Sequence, residues 1–305
     1  MKTLNLTRLR HLMSLISIVA LLLSVLAIST RGFNLGLDFT GGAFAEVAMA
    51  TDTRIDQVEI ALAHLGDGSI SVVATEPGRF LIRMGATLDT QTLADFNQSL
   101  LQLDPTMQVL DRDSVSPQVG QELFEQGGLA LLIAMLCILG YLSLRFEWRL
   151  AAGALFALVH DVVLVLGVFA LTGMEFNLTV LAAVLAVLGY SLNDSIIIAD
   201  RIRELLIARP KSRLTEVNDA AIVQTFSRTM VTSGTTLITV GALWLLGGAP
   251  LEGFAVAMFV GIVTGTFSSV SVGTVLPELL GLSPAHYRKT PDSELLAENA
   301  SQPRR

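Results

Sequence analysis

Six stretches of this 305-residue chain are long and apolar enough to cross a hydrocarbon core, which takes roughly 20 mostly apolar residues for ~30 Å. They lie near 12–30, 127–146, 150–171, 179–200, 226–247 and 252–277. The fold class follows: a polytopic α-helical membrane protein with six transmembrane helices. Composition agrees, with 52% hydrophobic against 15% charged residues. A formal charge of −7 then has to be read by location, and it says little about soluble partners. The first stretch ends in small residues, SVLAIST, as a cleaved signal peptide does. Its apolar run exceeds the roughly 7–15 residues usual for such a peptide, so a retained span is expected.

Lysine and arginine set the orientation, because short cytoplasmic loops are enriched in them. Lys2, Arg8 and Arg10 precede the first span, Arg145 and Arg149 separate the second from the third, and Arg201, Arg203, Arg209, Lys211 and Arg213 follow the fourth. Arg288, Lys289, Arg304 and Arg305 follow the sixth, whereas TGMEFN and GGAPLEG, on the opposite side, carry no basic residue. Residues 1–11 are thus expected in the cytoplasm, 31–126 outside it as a folded segment, 127–283 as a five-helix membrane domain, and 284–305 as a cytoplasmic tail, disordered or lying on the surface.

The extracytoplasmic segment alternates in its periodicity. AFAEVAM (43–49) reads as a strand, and TRIDQVEIALAHL (53–65) as a helix with Ile55, Val58, Leu62 and Leu65 on one face. SISVVAT (69–75) and RFLIRM (79–84) flank the turn residues Glu76, Pro77 and Gly78. A helix over 90–103 presents Leu93, Phe96, Leu100 and Leu103, and MQVLDRD (107–113) reads as a last strand. The order βαββαβ predicts a small α+β domain of the ferredoxin-like, split βαβ kind.

Common soluble-enzyme motifs are absent: the chain has no P-loop, GxSxG, HExxH or CxxC. A lone cysteine, Cys137, excludes an intrachain disulfide and a thiolate metal cluster. No covalent chemistry, metal or cofactor is expected, and no nucleic-acid partner.

Ionisable residues inside the spans are the exception to this plainness. Asp194 lies in LGYSLNDSIIIADRIRE (188–204), roughly 10 Å along the helix from Arg201 at 1.5 Å per residue. An aspartate at the centre of a membrane helix costs about 2.5–3.5 kcal/mol on insertion scales, and such residues mark ion or proton paths by default. It needs a partner, and the next span offers Arg228, with Thr232 and Thr235 on the same face. If that helix is capped at Thr215, Arg228 lies roughly 20 Å inside and reaches the depth of Asp194. Such a pair is a proton switch in principle; the plainer alternatives are structural glue and a snorkelling arginine. His160 and Asp161 lie in the middle of the third span, where they read as helix-packing hydrogen-bonders or members of a relay. The glycine, serine and threonine runs of the last two spans read as close helix packing.

These stretches together resemble the SecD/SecF family of the bacterial Sec translocase, part of the resistance-nodulation-division superfamily. FNLGLDFTGGA (33–43) is similar to its glycine-glycine motif, and LGYSLNDSIIIADRIRE to the VGYSLNDTIVIFDRIRE of the SecF-type fourth span. SRTMVTSGTTL (227–237) resembles the fifth span, and SPQVGQEL (116–123) the approach to the second. Val223, Ala199 and Ser116 depart from the family's usual asparagine, aromatic residue and glycine.

The resemblance implies a subunit that pairs with a homologous six-span SecD and uses the proton-motive force to help complete export of preproteins delivered by the SecYEG channel and SecA, with YajC as an accessory, across the bacterial inner membrane. It implies protons as the coupling ion, Asp194 as their carrier, Arg228 as its partner and Asn193 as a hydrogen-bonding support, with a weaker relay role for Asp161 and His160. Gly36, Asp38, Gly41 and Gly42 would carry the connection of the first span to a moving domain. Competing readings are a proton-driven small-molecule or lipid exporter of the same superfamily, a passive scaffold, and an intramembrane hydrolase.

Overall fold

The structure is a computed structural model that describes residues 6–65, 70–84 and 90–287. The chain opens with α1 (Leu6–Arg31), then β1 (Asn34–Leu35), the single-turn α2 (Leu37–Thr40), β2 (Gly42–Ala48), α3 (Ile55–Leu62), β3 (Ile70–Glu76), β4 (Arg79–Met84), α4 (Thr90–Leu103) and β5 (Gln108–Val115). The membrane part continues with α5 (Pro117–Arg145), α6 (Trp148–Thr172), β6 (Glu175–Phe176), α7 (Leu178–Ala208), α8 (Leu214–Leu246), α9 (Ala249–Val270) and α10 (Val272–Leu279), and a 3₁₀ turn covers Pro284–Tyr287. Among the described residues, six helices or helix pairs have the length and apolarity of membrane spans, the last running from Pro250 to Leu279. The chain is a multi-pass membrane protein.

In the α+β domain between the first two long helices the sheet order is β3-β4-β2-β5, with every neighbouring pair antiparallel. Gly78 turns the β3–β4 hairpin at φ +80°. α3 and α4 pack on one face, where Val58, Leu62, Phe96 and Leu100 are fully buried against Val47 and Ile82 of the sheet. The expected helix faces hold at their centres and loosen at their ends: Ile55, in the first turn of α3, is exposed.

Helix ends follow local chemistry. The Ser116 hydroxyl accepts from Val119 N–H (3.3 Å) ahead of Pro117, and the Asn177 side chain accepts from Val180 N–H (3.0 Å) at the start of α7. Gly173 closes α6 at φ +69°. The fifth long helix corrects the Thr215 cap: Arg213 is the N-cap, without a side-chain cap bond, and Thr215 lies in the first turn. The sixth span is two helices, because Ser271 (φ −90°, ψ −79°) leaves regular helix geometry and Pro277 lies inside α10. Of the residues after 283, the 3₁₀ turn is described, and the rest of the expected tail, with Arg288, Lys289, Arg304 and Arg305, lies outside the described residues, as does Lys2.

Small residues set the membrane packing. A Cβ on Gly261 of α9 would lie 2.3 Å from Val187 Cγ2 of α7, one on Gly167 of α6 2.3 Å from Ser24 of α1, and one on Gly153 of α6 2.7 Å from Pro277 of α10. Backbones approach closely where nothing larger than hydrogen fits. α6, α7 and α9 therefore form the centre, while α5 and α8 lie outside it, with only 11% and 17% of their apolar windows buried. Arg10, an orientation marker in the sequence, is instead a fully buried residue of α1.

Candidate functional site

Asp194 lies near the middle of α7, 2% exposed, where α8 packs against it. Ser233 of α8 donates to its Oδ2 at 3.4 Å, a long bond, and Thr266 of α9 donates to the Ser233 hydroxyl at 2.8 Å. The other carboxylate oxygen, Oδ1, is buried without a hydrogen-bond partner among the described residues. An acceptor left unmet in a dry site is costly, so this oxygen is where a proton, water or a donor from outside the chain gains most.

Arg228 is not in contact with this carboxylate. α8 turns Thr225, Thr229 and Ser233 inward, all buried, while Arg228, about 100° round the helix from Thr229, is exposed. The partner role expected of Arg228 for Asp194 is not met by an ion pair among the described residues. Thr232 and Thr235 do share the Arg228 face, but that face points away from the bundle, and their hydroxyls donate to the carbonyls of Arg228 (3.0 Å) and Val231 (2.9 Å). Asn193 is exposed too, and no hydrogen bond joins it to Asp194 among the described residues. It ends a stripe of small exposed residues on α7 that includes Ala182, Ala186 and Gly189. Arg201, toward the C-terminal end of α7, donates to Gln224 of α8 at 2.6 Å and pairs with Glu204.

His160 and Asp161 form a separate buried cluster on α6. Asp161, wholly buried, accepts from Ser191 of α7 at 2.5 Å and Ser268 of α9 at 2.8 Å, with His160 Nδ1 3.0 Å away. Both its oxygens are engaged, in contrast to Asp194. His160 Nε2 has no partner among the described residues. Ser191, Ser233, Thr266 and Ser268 are the functional neighbours that sequence reasoning missed. Their signal was present only as small polar residues indistinguishable from packing positions.

The glycine-glycine segment lies at the end of the bundle where α7 begins. Gly36 N–H donates to the Phe176 carbonyl (2.9 Å), and Asp38 Oδ2 accepts from Leu178 N–H (2.9 Å). Gly41 (φ +70°) has no room for a side chain, since a Cβ there would lie 2.5 Å from Pro117 Cα, and Gly42 (φ +130°) starts β2.

Comparison with known proteins agrees with this arrangement. The family model described as "Protein export membrane protein SecD/SecF, C-terminal" matches residues 95–281, and that described as "SecD/SecF GG Motif" matches 26–43. The protein translocase subunit SecF of Vibrio alginolyticus is 41% identical over 293 residues, covering 93% of this chain and 92% of the relative. That of Escherichia coli O157:H7 is 37% identical over 297 residues, covering 94% and 90%. Among solved structures, SecDF of Thermus thermophilus, described as a translocon-associated membrane protein, superposes with a TM-score of 0.83 at 31% identity over 91% of this chain. A SecDF structure in a super-membrane-facing form gives 0.64 at 33% identity over 94% of the chain. This chain spans 38% of the first SecDF chain and 39% of the second. By its matched segments, its relatives over nearly their full lengths and its helix arrangement, the chain belongs to the SecD/SecF family of protein-export membrane proteins.

Proposed function

We propose that this chain is a SecF-type subunit of the Sec export machinery, in which proton passage at Asp194 drives late steps of preprotein translocation across the bacterial inner membrane. The observation that carries the reading is the half-satisfied carboxylate: Asp194 is buried at mid-helix with Oδ1 unpartnered among the described residues, a group able to take up and release a proton between α7 and α8. Arg228 lies exposed on α8, about 100° round the helix from the buried Thr229, so a turn of α8 would bring its charge toward Asp194 or away from it. Asp161, with three donors around it, serves to hold α6, α7 and α9 together rather than to exchange protons, and His160 supports it. No covalent chemistry and no cofactor take part; the proton is the coupling ion.

The uncovered face supplies the argument for a partner. α8 has the lowest mean hydropathy of the spans, 1.4, yet little of it is buried, so lipid is a poor neighbour for Arg228 and its threonines. A homologous six-span SecD subunit, docked against the small-residue stripe of α7 and the polar face of α8, covers both. The SecYEG channel, SecA, YajC and the translocating preprotein are the further partners of this reading. Both termini then lie in the cytoplasm and the α+β domain outside it.

One charge moved through 100 mV gains about 2.3 kcal/mol, enough to bias a two-state movement by a factor of tens. Vesicles carrying the reconstituted machinery test the reading. Asp194→Asn and Arg228→Ala are expected to assemble normally and to lose the stimulation of export by the proton-motive force. Full stimulation in Asp194→Asn refutes it, and transport of a dye or lipid by the purified chain alone favours an exporter instead.

A further inference from the structure

We propose that Asp38 and the Arg83–Glu175 ion pair are positioning residues that clamp the extracytoplasmic domain to the outer end of α7, so that the domain and the helix carrying Asp194 move as one. The functional part of this proposal rests on the proton-coupling role given to Asp194 above.

Asp38 is not needed to start α7. The Asn177 side chain already caps that helix through Val180 N–H, and Asp38 adds a carboxylate on Leu178 N–H from 140 positions away in the chain. A negative group at the positive end of a helix is well placed, and here it comes from another part of the molecule. Its effect is to fix where the helix end sits relative to the segment that carries the aspartate.

That segment is itself held on both sides. Before Asp38, β1 pairs in parallel with β6 through Asn34–Glu175 and Leu35–Phe176, and a Cβ on Gly36 would lie 2.6 Å from Glu175 Oε1. After it, the single turn of α2 ends at Gly41 against Pro117, and β2 starts at the next residue. Gly120 completes the close fit, since its Cβ would meet Phe39 O at 2.9 Å. The second attachment comes from β4, the neighbour of β2: Arg83, paired in register with Phe44, forms an ion pair with Glu175. Arg83 of β4 and the segment that leads into β2, through Gly36 and Asp38, thus both hold the residues that lead into α7. From there α7 runs without proline to Asp194, roughly 24 Å along its axis at 1.5 Å per residue. A tilt of the domain must drag the outer end of α7 or break these contacts.

Two measurements test the clamp. The first needs no assumption about export: nitroxide labels at the exposed positions Ile60 in α3 and Leu171 at the outer end of α6, in a Cys137→Ala background, report the domain's position by electron–electron resonance in the full chain. Wild type is expected to give one narrow distance distribution and Asp38→Ala a broadened one. An unchanged distribution in Asp38→Ala overturns the clamp. The second uses vesicles carrying the chain with its partner subunits, an entrapped pH dye for proton flux, and a preprotein for export. Asp38→Ala is expected to keep proton flux within twofold while force-dependent export falls at least fivefold. Asp38→Asn, whose amide oxygen can still accept from Leu178 N–H, is expected to keep at least half of it. Arg83→Glu is expected to lose export, and Glu175→Arg in the same chain to restore it. Flux and export falling in proportion, or no restoration by the charge swap, overturns the coupling role. Failure of the proton reading is recognised separately, by full stimulation in Asp194→Asn, and leaves the distance measurement standing as the test of the clamp.

Discussion

Arg10 offers the sharpest energetic test of how α1, α8 and α10 are joined. Its side chain is fully buried, with Nε 2.9 Å from Asp219 Oδ1 of α8 and Nη2 2.8 Å from Glu278 Oε1 of α10. Its Nη1 donates to Thr274 Oγ1 of α10 at 3.1 Å. Arg10→Met keeps the apolar stem and removes the guanidinium with its charge and its three donated hydrogen bonds, leaving the two carboxylates without their shared cation. Removing one partner of a buried ion pair costs about 3–5 kcal/mol. The carboxylates here are 27% and 11% exposed, and each keeps a neutral donor, Thr7 to Asp219 at 2.6 Å and Asn218 to Glu278 at 2.7 Å. Water and these donors absorb part of the loss, which puts the expected cost at the lower end, about 3 kcal/mol. Replacing all three charges, Arg10→Met with Asp219→Asn and Glu278→Gln, leaves no uncompensated ion and should return the stability to within about 1 kcal/mol of wild type. Equilibrium unfolding of the full chain in bicelles by steric trapping reads both numbers. A cost under about 1 kcal/mol for Arg10→Met, or a triple variant as unstable as the single one, refutes the claim that this cluster works by charge compensation.

Two further outcomes separate backbone strain from packing and locate a pH-sensitive contact. Gly173→Ala, at φ +69° in open space, should cost only the left-handed penalty of about 1–2 kcal/mol, whereas Gly41→Ala, at φ +70° with Pro117 Cα 2.5 Å from the new Cβ, should cost clearly more in the same unfolding assay. In the α+β domain, Asp104 accepts from the Thr106 hydroxyl and from the Ala50 and Thr106 N–H groups, which hold its carboxyl below the usual carboxylate range. A depressed folded-state value means stability that is present above the ordinary pKa of about 3.9 and lost as pH falls through the lower folded value. Hydrogen exchange of β2 and β5 amides should therefore differ between wild type and Asp104→Asn at pH 6, and the difference should shrink on acidification toward pH 3; a constant difference contradicts the assignment.

The parts of this fold that were legible are those where chain and solvent differ in polarity. Span positions followed from the cost of placing polar residues in hydrocarbon, and the strand and helix order of the outer domain from its switch between periods of two and 3.6, since water wets one face of each element there. Within the membrane that contrast vanishes, because lipid and protein interior are equally apolar and no face of α5, α7 or α8 announces itself as inward. The rotation of α8 was therefore not readable: Arg228 and Thr229 are one residue apart, and about 100° of turn decides which of them meets α7.

The same limit explains the uneven reading of the site. Asp194 was found because a carboxylate has no cheap place in lipid, a property of the residue alone. Its surroundings depended on contacts between residues far apart in the chain, such as Ser233 with Asp194, Ser268 with Asp161, and Asp38 with Leu178. Serine and threonine in a span satisfy themselves on their own backbone, as Thr232, Thr235 and Thr239 do, so their sequence pattern does not separate a carboxylate's donor from a packing residue. The two buried aspartates, alike as letters in an apolar run, differ because Asp161 meets two hydroxyls and an imidazole while Asp194 meets one hydroxyl at the limit of bonding distance. That difference in saturation is what the proposed proton-coupling reading rests on: among the described residues Asp194 Oδ1 is a buried acceptor still open to a proton or to a donor from outside the chain, whereas Asp161 is already held by neighbours on α6, α7 and α9.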